Sequence, residues 1–260
     1  MSFSIRYTVG FAGAVCIVCS ILVAGSAVAL RDRQENNALV DKQTQVLEVA
    51  GLVERGERLS ASEVRRRFAR HLVPRVIELE TGAYVEDVDP ETFDMAAATR
   101  DPAQSTIAPP NEAQVQRLPR YAKLYELKGK GSAIDTLILP VRGKGLWSTL
   151  EGFIALEPDA TTVTGITFYR HAETPGLGGE VDNPKWKARW RGRQVFDQSF
   201  APQLEVVKGP AGPADEDPHR VDGLSGATLT GRGVTHLIRF WTGPHAFGPY
   251  LSRRRQLAHR

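Results

Sequence analysis

Residues 222–228 read DGLSGAT, and residues 229–241 continue as LTGRGVTHLIRFW. The first run holds small residues, the hydroxyls of Ser225 and Thr228, and no bulk beyond Leu224. Gly223 and Gly226 carry no Cβ, so the backbone there can approach a bulky anionic ligand. In the second run Val234, Leu237, Ile238 and Trp241 recur at helical spacing. The small-residue run therefore sits at a helix N-terminus, where unpaired N–H groups and the helix dipole favour phosphate. The residues alone equally fit a glycine-containing loop that simply opens a helix. They do not fit a serine hydrolase. Ser225 stands in GLSGA, where Ala227 replaces the second glycine of a nucleophile elbow, and no triad partner is evident.

Upstream of this run, Leu204–Val207 reads as a strand ending in Lys208, and Gly209–Asp217 as a Gly/Pro/acidic loop. Asn183–Trp190 predicts a short helix with Pro184 in its first turn. Val163–Tyr169 alternates as a strand does, and Leu150–Leu156, Ile134–Val141 and Tyr121–Leu127 read as further strands. The last two form a predicted hairpin around the Lys128–Ser132 turn. Adjacent strands of this kind imply a largely antiparallel sheet. Two loops interrupt them: RGKGLWS at Arg142–Ser148 and HAETPGLGGEVDNPKW at His171–Trp186. Each fits a turn with an aromatic plug, but Pro175, Gly176 and Gly178 also permit close backbone approach. Leu177 and Trp147 offer apolar cover for a planar ring. The GLGG spacing is not a dinucleotide fingerprint. Glu173 has no motif-supported carboxylate partner for acid–base hydrolysis, and as a polar ligand contact it is the better fit.

The N-terminal part reads differently. Tyr7–Leu30 holds no charged residue, and spanning a bilayer needs roughly 20 apolar residues. A cleaved signal ending at Ser26-Ala27-Val28-Ala29 is the competing reading. The run is long for a signal core of about 7–15 residues, which favours a retained anchor. Cys16 and Cys19 lie inside it and read as small packing residues, since two ligands are too few for a zinc site. Asn36–Leu52 predicts a helix continuing from the anchor. A second helix is predicted from Ser60, capped by Ser60 and Glu63, striped by Val64, Phe68 and Leu72, and stopped by Pro74. Ile77–Val85 is expected to be extended. Asp89–Asn111, with Pro90, Pro102, Pro109 and Pro110, is expected to be a long connection. A net charge of +3 over 260 residues, with no basic stripe and no nucleic-acid motif, speaks against nucleic acid as a partner.

The DxxSGAT run resembles the flavinylation motif of proteins that carry FMN on a threonine through a phosphoester bond. Together with GLWS, ETPGLG and the FW…FGPYL ending, it makes nearly the whole chain resemble the C subunits of sodium-translocating NADH:quinone reductases. The resemblance implies an α+β fold: one N-terminal transmembrane helix, then an exported FMN-binding domain with a largely antiparallel sheet and flanking helices. It divides the chain into a short N-terminus (1–6), an anchor (7–30), a helical segment with a long connection (31–112) and an FMN-binding core (113–260). Thr228 is the implied covalent acceptor, and Asp222, Ser225, Gly226 and Ala227 its recognition sequence. Leu229 and Thr230 follow within the site, Thr230 being the less suited acceptor. Leu146, Trp147, Ser148, Glu173, Thr174, Gly176, Leu177 and Gly178 are implied to wall the flavin, with Lys208 close to it. No metal site is implied. The implied partners are the other subunits of a membrane complex and a flavin transferase that uses FAD and a divalent metal ion. The implied role is to relay electrons from an iron–sulfur centre to a second flavin, in a bacterial inner membrane with the main domain periplasmic. The G subunit of the Rnf electron-transport complex resembles the chain less well, because of the long insert after Val85. A membrane-anchored binding domain without cofactor is the alternative of a different class.

Overall fold

A computed structural model describes residues 4–54, 56–129 and 134–258. The chain divides into two units, Met1–Lys42 and Gln43–Arg260. The first is the larger part of helix α1 (Ile5–Val49). Its apolar side chains, Ile17, Leu22 and Val23 among them, are exposed. That fits lipid as the surrounding medium, and α1 contains the one helix stretch among the described residues long and apolar enough to cross a membrane. Cys16 and Cys19 are free thiols on its surface. The predicted anchor and the predicted continuing helix are one element, ended by Gly51 at φ +72°.

The second unit is built on one antiparallel sheet in the order β1 (Leu72–Glu78), β4 (Tyr121–Lys128), β5 (Ile134–Lys144), β6 (Thr149–Leu156) and β7 (Val163–Arg170). The strands expected at β4 to β7 form as predicted, and the expected hairpin turn lies partly outside the described residues. One face of the sheet meets the end of α1, through Val46, Leu47 and Val49, and α2 (Ala61–His71), through Val64 and Phe68. On that side Phe68, Tyr125, Phe153 and Tyr169 form a chain of ring contacts, with centroids 5.3, 6.1 and 5.3 Å apart. The other face packs the main core, where Leu124, Leu139 and Ile154 meet α5 (Thr228–Thr242) and α6 (Gly248–Ala258).

Local expectations are corrected in places. Helix α2 starts as predicted, with Ser60 Oγ accepting the Glu63 N–H at 3.2 Å. It ends at His71, before Pro74 acts, and the chain turns straight into β1. Pro74 is tolerated inside β1 because β1 is the edge of the sheet. The extended segment therefore starts at Leu72 rather than Ile77. The Pro-rich stretch is not a plain connection. It holds α3 (Met95–Arg100), capped by Asp94, and β2 (Ser105–Ile107), which pairs with β3 (Arg117–Pro119). The C-terminal residues up to Ala258 lie in α6, where Tyr250 and Leu251 are buried and Arg253 is exposed.

Helix α5 is the element that positions the site. Its apolar face, Val234, Leu237, Ile238 and Trp241, is buried, and it lies directly on β5. A Cβ on Gly233 would sit 2.4 Å from the Lys144 carbonyl oxygen, so only glycine permits this approach. Trp241 Nε1 donates to the Arg142 carbonyl at 2.5 Å, fixing the far end of the helix. On its other flank two short parallel strands, β8 (Glu205–Val206) and β9 (Arg220–Val221), run beside it. Thr235 Oγ1 accepts the Val206 N–H at 2.8 Å.

Candidate functional site

The DGLSGAT run lies between β9 and α5. Its base is held from below: Gly223 N–H donates to the Gly209 carbonyl at 2.7 Å, and Trp186 Nε1 to the Asp222 carbonyl at 2.8 Å. The Asp222 carboxylate accepts the Ala211 N–H at 3.0 Å and faces Arg189 Nε at 3.4 Å. Trp186 belongs to the predicted short helix, α4 (Pro184–Ala188), capped by Asn183. Ser225 and Gly226 are exposed at the turn, with Gly226 at φ +69°, a conformation that favours glycine. Ala227 is the N-cap and supplies no side-chain acceptor. The first N–H groups of α5 are therefore open to an anion.

Thr228 and Thr230 have opposite surroundings. Thr228 is the first residue of α5 and is exposed. Thr230 is fully buried, and its hydroxyl donates to Glu173 Oε2 at 2.7 Å. Periodicity holds the signal for this: Thr230, Val234, Leu237 and Trp241 follow one another at steps of four, three and four, so Thr230 belongs to the buried stripe.

Glu173 gathers the site. It is 4% exposed. Its Oε1 accepts the N–H groups of Trp147 at 3.1 Å and Ser148 at 3.0 Å, and the Ser148 hydroxyl at 2.9 Å. Its Oε2 accepts the Leu146 N–H at 3.2 Å besides Thr230. One carboxylate thus ties the GLWS loop, the ETPGLG loop and the start of α5 together. Burial pushes its pKa up, but hydrogen bonds from Thr230, Ser148 and the loop N–H groups outweigh this. They hold the carboxyl below its ordinary value. Gly178 has to be glycine at this crowding, since a Cβ would stand 2.6 Å from Thr230 Oγ1 and 2.8 Å from Glu173 Oε2.

The three segments leave an apolar surface around Thr228. Trp147 is 69% exposed, Leu229 54%, Leu177 45% and Leu146 38%. Leu177 reaches the motif itself, its Cδ2 lying 2.9 Å from where a Cβ of Gly226 would be. The exposed Thr174 turns the chain there, its carbonyl accepting the N–H groups of Leu177 at 3.1 Å and Gly179 at 2.9 Å. Gly176, at φ +75°, is exposed in the same turn. Large apolar groups gathered at the surface around a helix N-terminus mark a binding site rather than a core. Lys208, exposed, follows β8 next to Gly209. The residues of the GLWS and ETPGLG loops are thus brought to the start of α5, with Glu173 and Thr230 beneath the surface and Thr228 on it, whereas Lys208 lines a neighbouring cleft with Arg220 and Arg232. Trp186 and Arg189, which hold Asp222, had no signal in the sequence beyond lying in the ETPGLG segment and its helix.

The fold and site define a flavin-binding domain on an apolar N-terminal helix, and comparison with known proteins agrees. The sequence profile of the FMN-binding domain family matches residues 145–243, which contain all three site segments. The chain is 45% identical to the C subunit of the Na(+)-translocating NADH-quinone reductase of Yersinia pestis over 244 residues, 93% of this chain and 90% of that one. It is 44% identical to the corresponding C subunit of Vibrio vulnificus, over 97% of this chain and 96% of that one. Among solved structures it is similar to Shewanella oneidensis NqrC, with a TM-score of 0.76 and 32% identity over 86% of this chain and 99% of that chain. The chain belongs to the family of C subunits of the Na(+)-translocating NADH-quinone reductases.

The residues present fit FMN. An exposed hydroxyl stands where a phosphate is favoured, uncapped N–H groups lie beside it, and four apolar side chains are ready to cover a ring.

Proposed function

We propose that this chain is the electron-carrying C subunit of a sodium-translocating NADH:quinone reductase, with FMN held through a phosphoester bond on Thr228. The observation that carries the reading is the contrast between the two threonines: Thr228 is exposed at the start of α5, and Thr230 is buried on Glu173. A flavin transferase reaches the first and not the second. With FAD as donor, the Thr228 hydroxyl gives up its proton, its oxygen bonds the FMN phosphorus, and the bond to the AMP half breaks. The N–H groups at the start of α5 hold the phosphate. Leu146, Trp147, Leu177 and Leu229 cover the ring, and Glu173 holds the covering loops in place. Lys208 opposes negative charge near the flavin. Bound there, FMN supplies the redox chemistry, and the protein supplies position and electrostatics. A covalent link keeps the flavin at one place whatever its redox state.

In this reading α1 anchors the chain in the inner membrane with the head domain periplasmic. Electrons arrive from an iron–sulfur centre and leave to a second flavin on a neighbouring subunit. The core of the carrier is residues 113–260, with the helical segment 31–112 between it and the anchor at 7–30. The test is in-gel fluorescence of the denatured full-length protein from cells that make the transferase. Fluorescent bands are expected for the native chain and for Thr230→Val, and none for Thr228→Ala. Fluorescence that survives Thr228→Ala refutes the assignment.

A further inference from the structure

The face of α5 that starts at Thr228 continues with Arg232, His236 and Arg239, at steps of four, four and three, so these side chains form one stripe. Lys208 and Arg220 stand across from it, beyond β8 and in β9, and with Glu205 these residues line a cleft of about 350 Å³. The cleft is under-neutralised. Its one carboxylate, Glu205, is shared between Arg239 at 3.0 Å and Arg220 at 3.5 Å. Asp217, 3.9 Å from Arg220, and Glu112, 3.4 Å from His236, supply the remaining negative charge nearby. The side chains of Lys208 and Arg232 are exposed and have no hydrogen bond or ion pair among the described residues. Two cations without a counter-ion among the described residues thus flank a cleft that begins one helical turn from Thr228. A charged rim next to an apolar centre is the anatomy of a protein–protein contact.

We propose that this cleft docks an acidic protein surface, namely the carboxylate-bearing face of the polypeptide that exchanges electrons with the flavin at Thr228. The inference rests on the reading of Thr228 as the flavin carrier. A concave cleft receives protruding Asp and Glu side chains, whereas a flat membrane surface meets convex basic ridges. Exposed charges act over about a Debye length, 8–10 Å at physiological salt. Their part is therefore to steer and register the partner as it approaches the flavin.

The test is carbodiimide coupling, which joins a lysine amine to a carboxylate, in native membranes holding the whole complex. Peptide mass spectrometry then identifies the products, and flavin on Thr228 is quantified in the same samples. Lys208 is expected to couple to an Asp or Glu of another subunit of the complex. The yield is expected to fall several-fold in Arg232→Glu, with flavin content and thermal unfolding of the chain unchanged. Coupling of other exposed lysines such as Lys185 without Lys208 overturns the proposal, and so does a yield indifferent to Arg232→Glu. Protection of the Lys208 amine from labelling by phosphatidylglycerol in vesicles reconstituted with the full chain, lost in Arg232→Glu and without Lys208 coupling to protein, assigns the cleft to lipid and overturns it as well. Coupling at Lys208 with no flavin on Thr228 refutes the carrier reading instead, so the two failures are distinguishable.

Discussion

Replacing Glu173 by alanine removes one carboxylate and leaves five donors without their acceptor: three loop N–H groups and the hydroxyls of Ser148 and Thr230. Each hydrogen bond to a charged group is worth about 1.5–3 kcal/mol net. The losses do not add in full, because Leu146 and Trp147 stand at the surface and water can reach their N–H groups. Thr230 is different, being fully buried, and an unsatisfied buried donor costs about 1–3 kcal/mol. Together these give a destabilisation of about 3–5 kcal/mol, a large fraction of the 5–15 kcal/mol that holds a typical domain. Glu173→Gln separates charge from shape. Its carbonyl can still serve the three donors on Oε1. Its amide then faces the Leu146 N–H, donor against donor, while the Thr230 hydroxyl turns to accept. The expected cost is about 1–2 kcal/mol. Urea unfolding of the detergent-solubilised full chain, followed by tryptophan fluorescence, measures both. Because Glu173 acts through the loops, the flavin of the alanine variant should also become more accessible to a soluble quencher, with partial recovery in Glu173→Gln. An alanine variant within about 1 kcal/mol of the native chain, or a glutamine variant as damaging as alanine, would refute the clamp.

Three further outcomes follow from the same geometry. Thr230→Val keeps the shape and removes the buried hydroxyl, leaving Glu173 Oε2 with the Leu146 N–H alone; it should cost about 1–2 kcal/mol in the same urea experiment and leave flavin on Thr228. Gly233→Ala would place a methyl 2.4 Å from the Lys144 carbonyl oxygen; prying α5 from β5 should cost about 1–3 kcal/mol and lower flavin loading, read by absorbance of the purified chain. Glu173 has a folded pKa below its ordinary value of 4.5. Its contribution is therefore present above that value and lost as pH falls through the folded pKa. The native chain should lose stability more steeply than Glu173→Gln in urea titrations carried below about pH 4.5, and parallel curves would contradict this.

Much of the fold was legible because its signals are local. The anchor is a long uncharged run, and β4 to β7 read directly as strands. The helix after DGLSGAT declares its buried face at every turn. The errors arose where tertiary context overrides a local rule. Helix α2 does end just before Pro74, but the strand that starts at Leu72 was missed, because an edge strand has no partner on one side and accepts the proline. The Pro-rich stretch looks like a loop because α3 and β2 are too short to show a period, and they are held by Asp94 and by pairing with β3. At the site, residue types pointed to the right loops. The direction of Glu173 was not legible, because its partners come from Leu146–Ser148 and Thr230, far apart in sequence and joined only when α5 packs on β5.

The flavin attachment turns on one oxygen atom. The tryptic peptide 221–232 holds both Thr228 and Thr230, so tandem mass spectrometry of that peptide, from full-length protein purified out of native membranes, has to divide the two residues by fragmentation. The FMN mass is expected on the fragment ending at Thr228, with Thr230 unmodified. FMN on Thr230, or an unmodified peptide from cells that flavinylate other proteins, would contradict it.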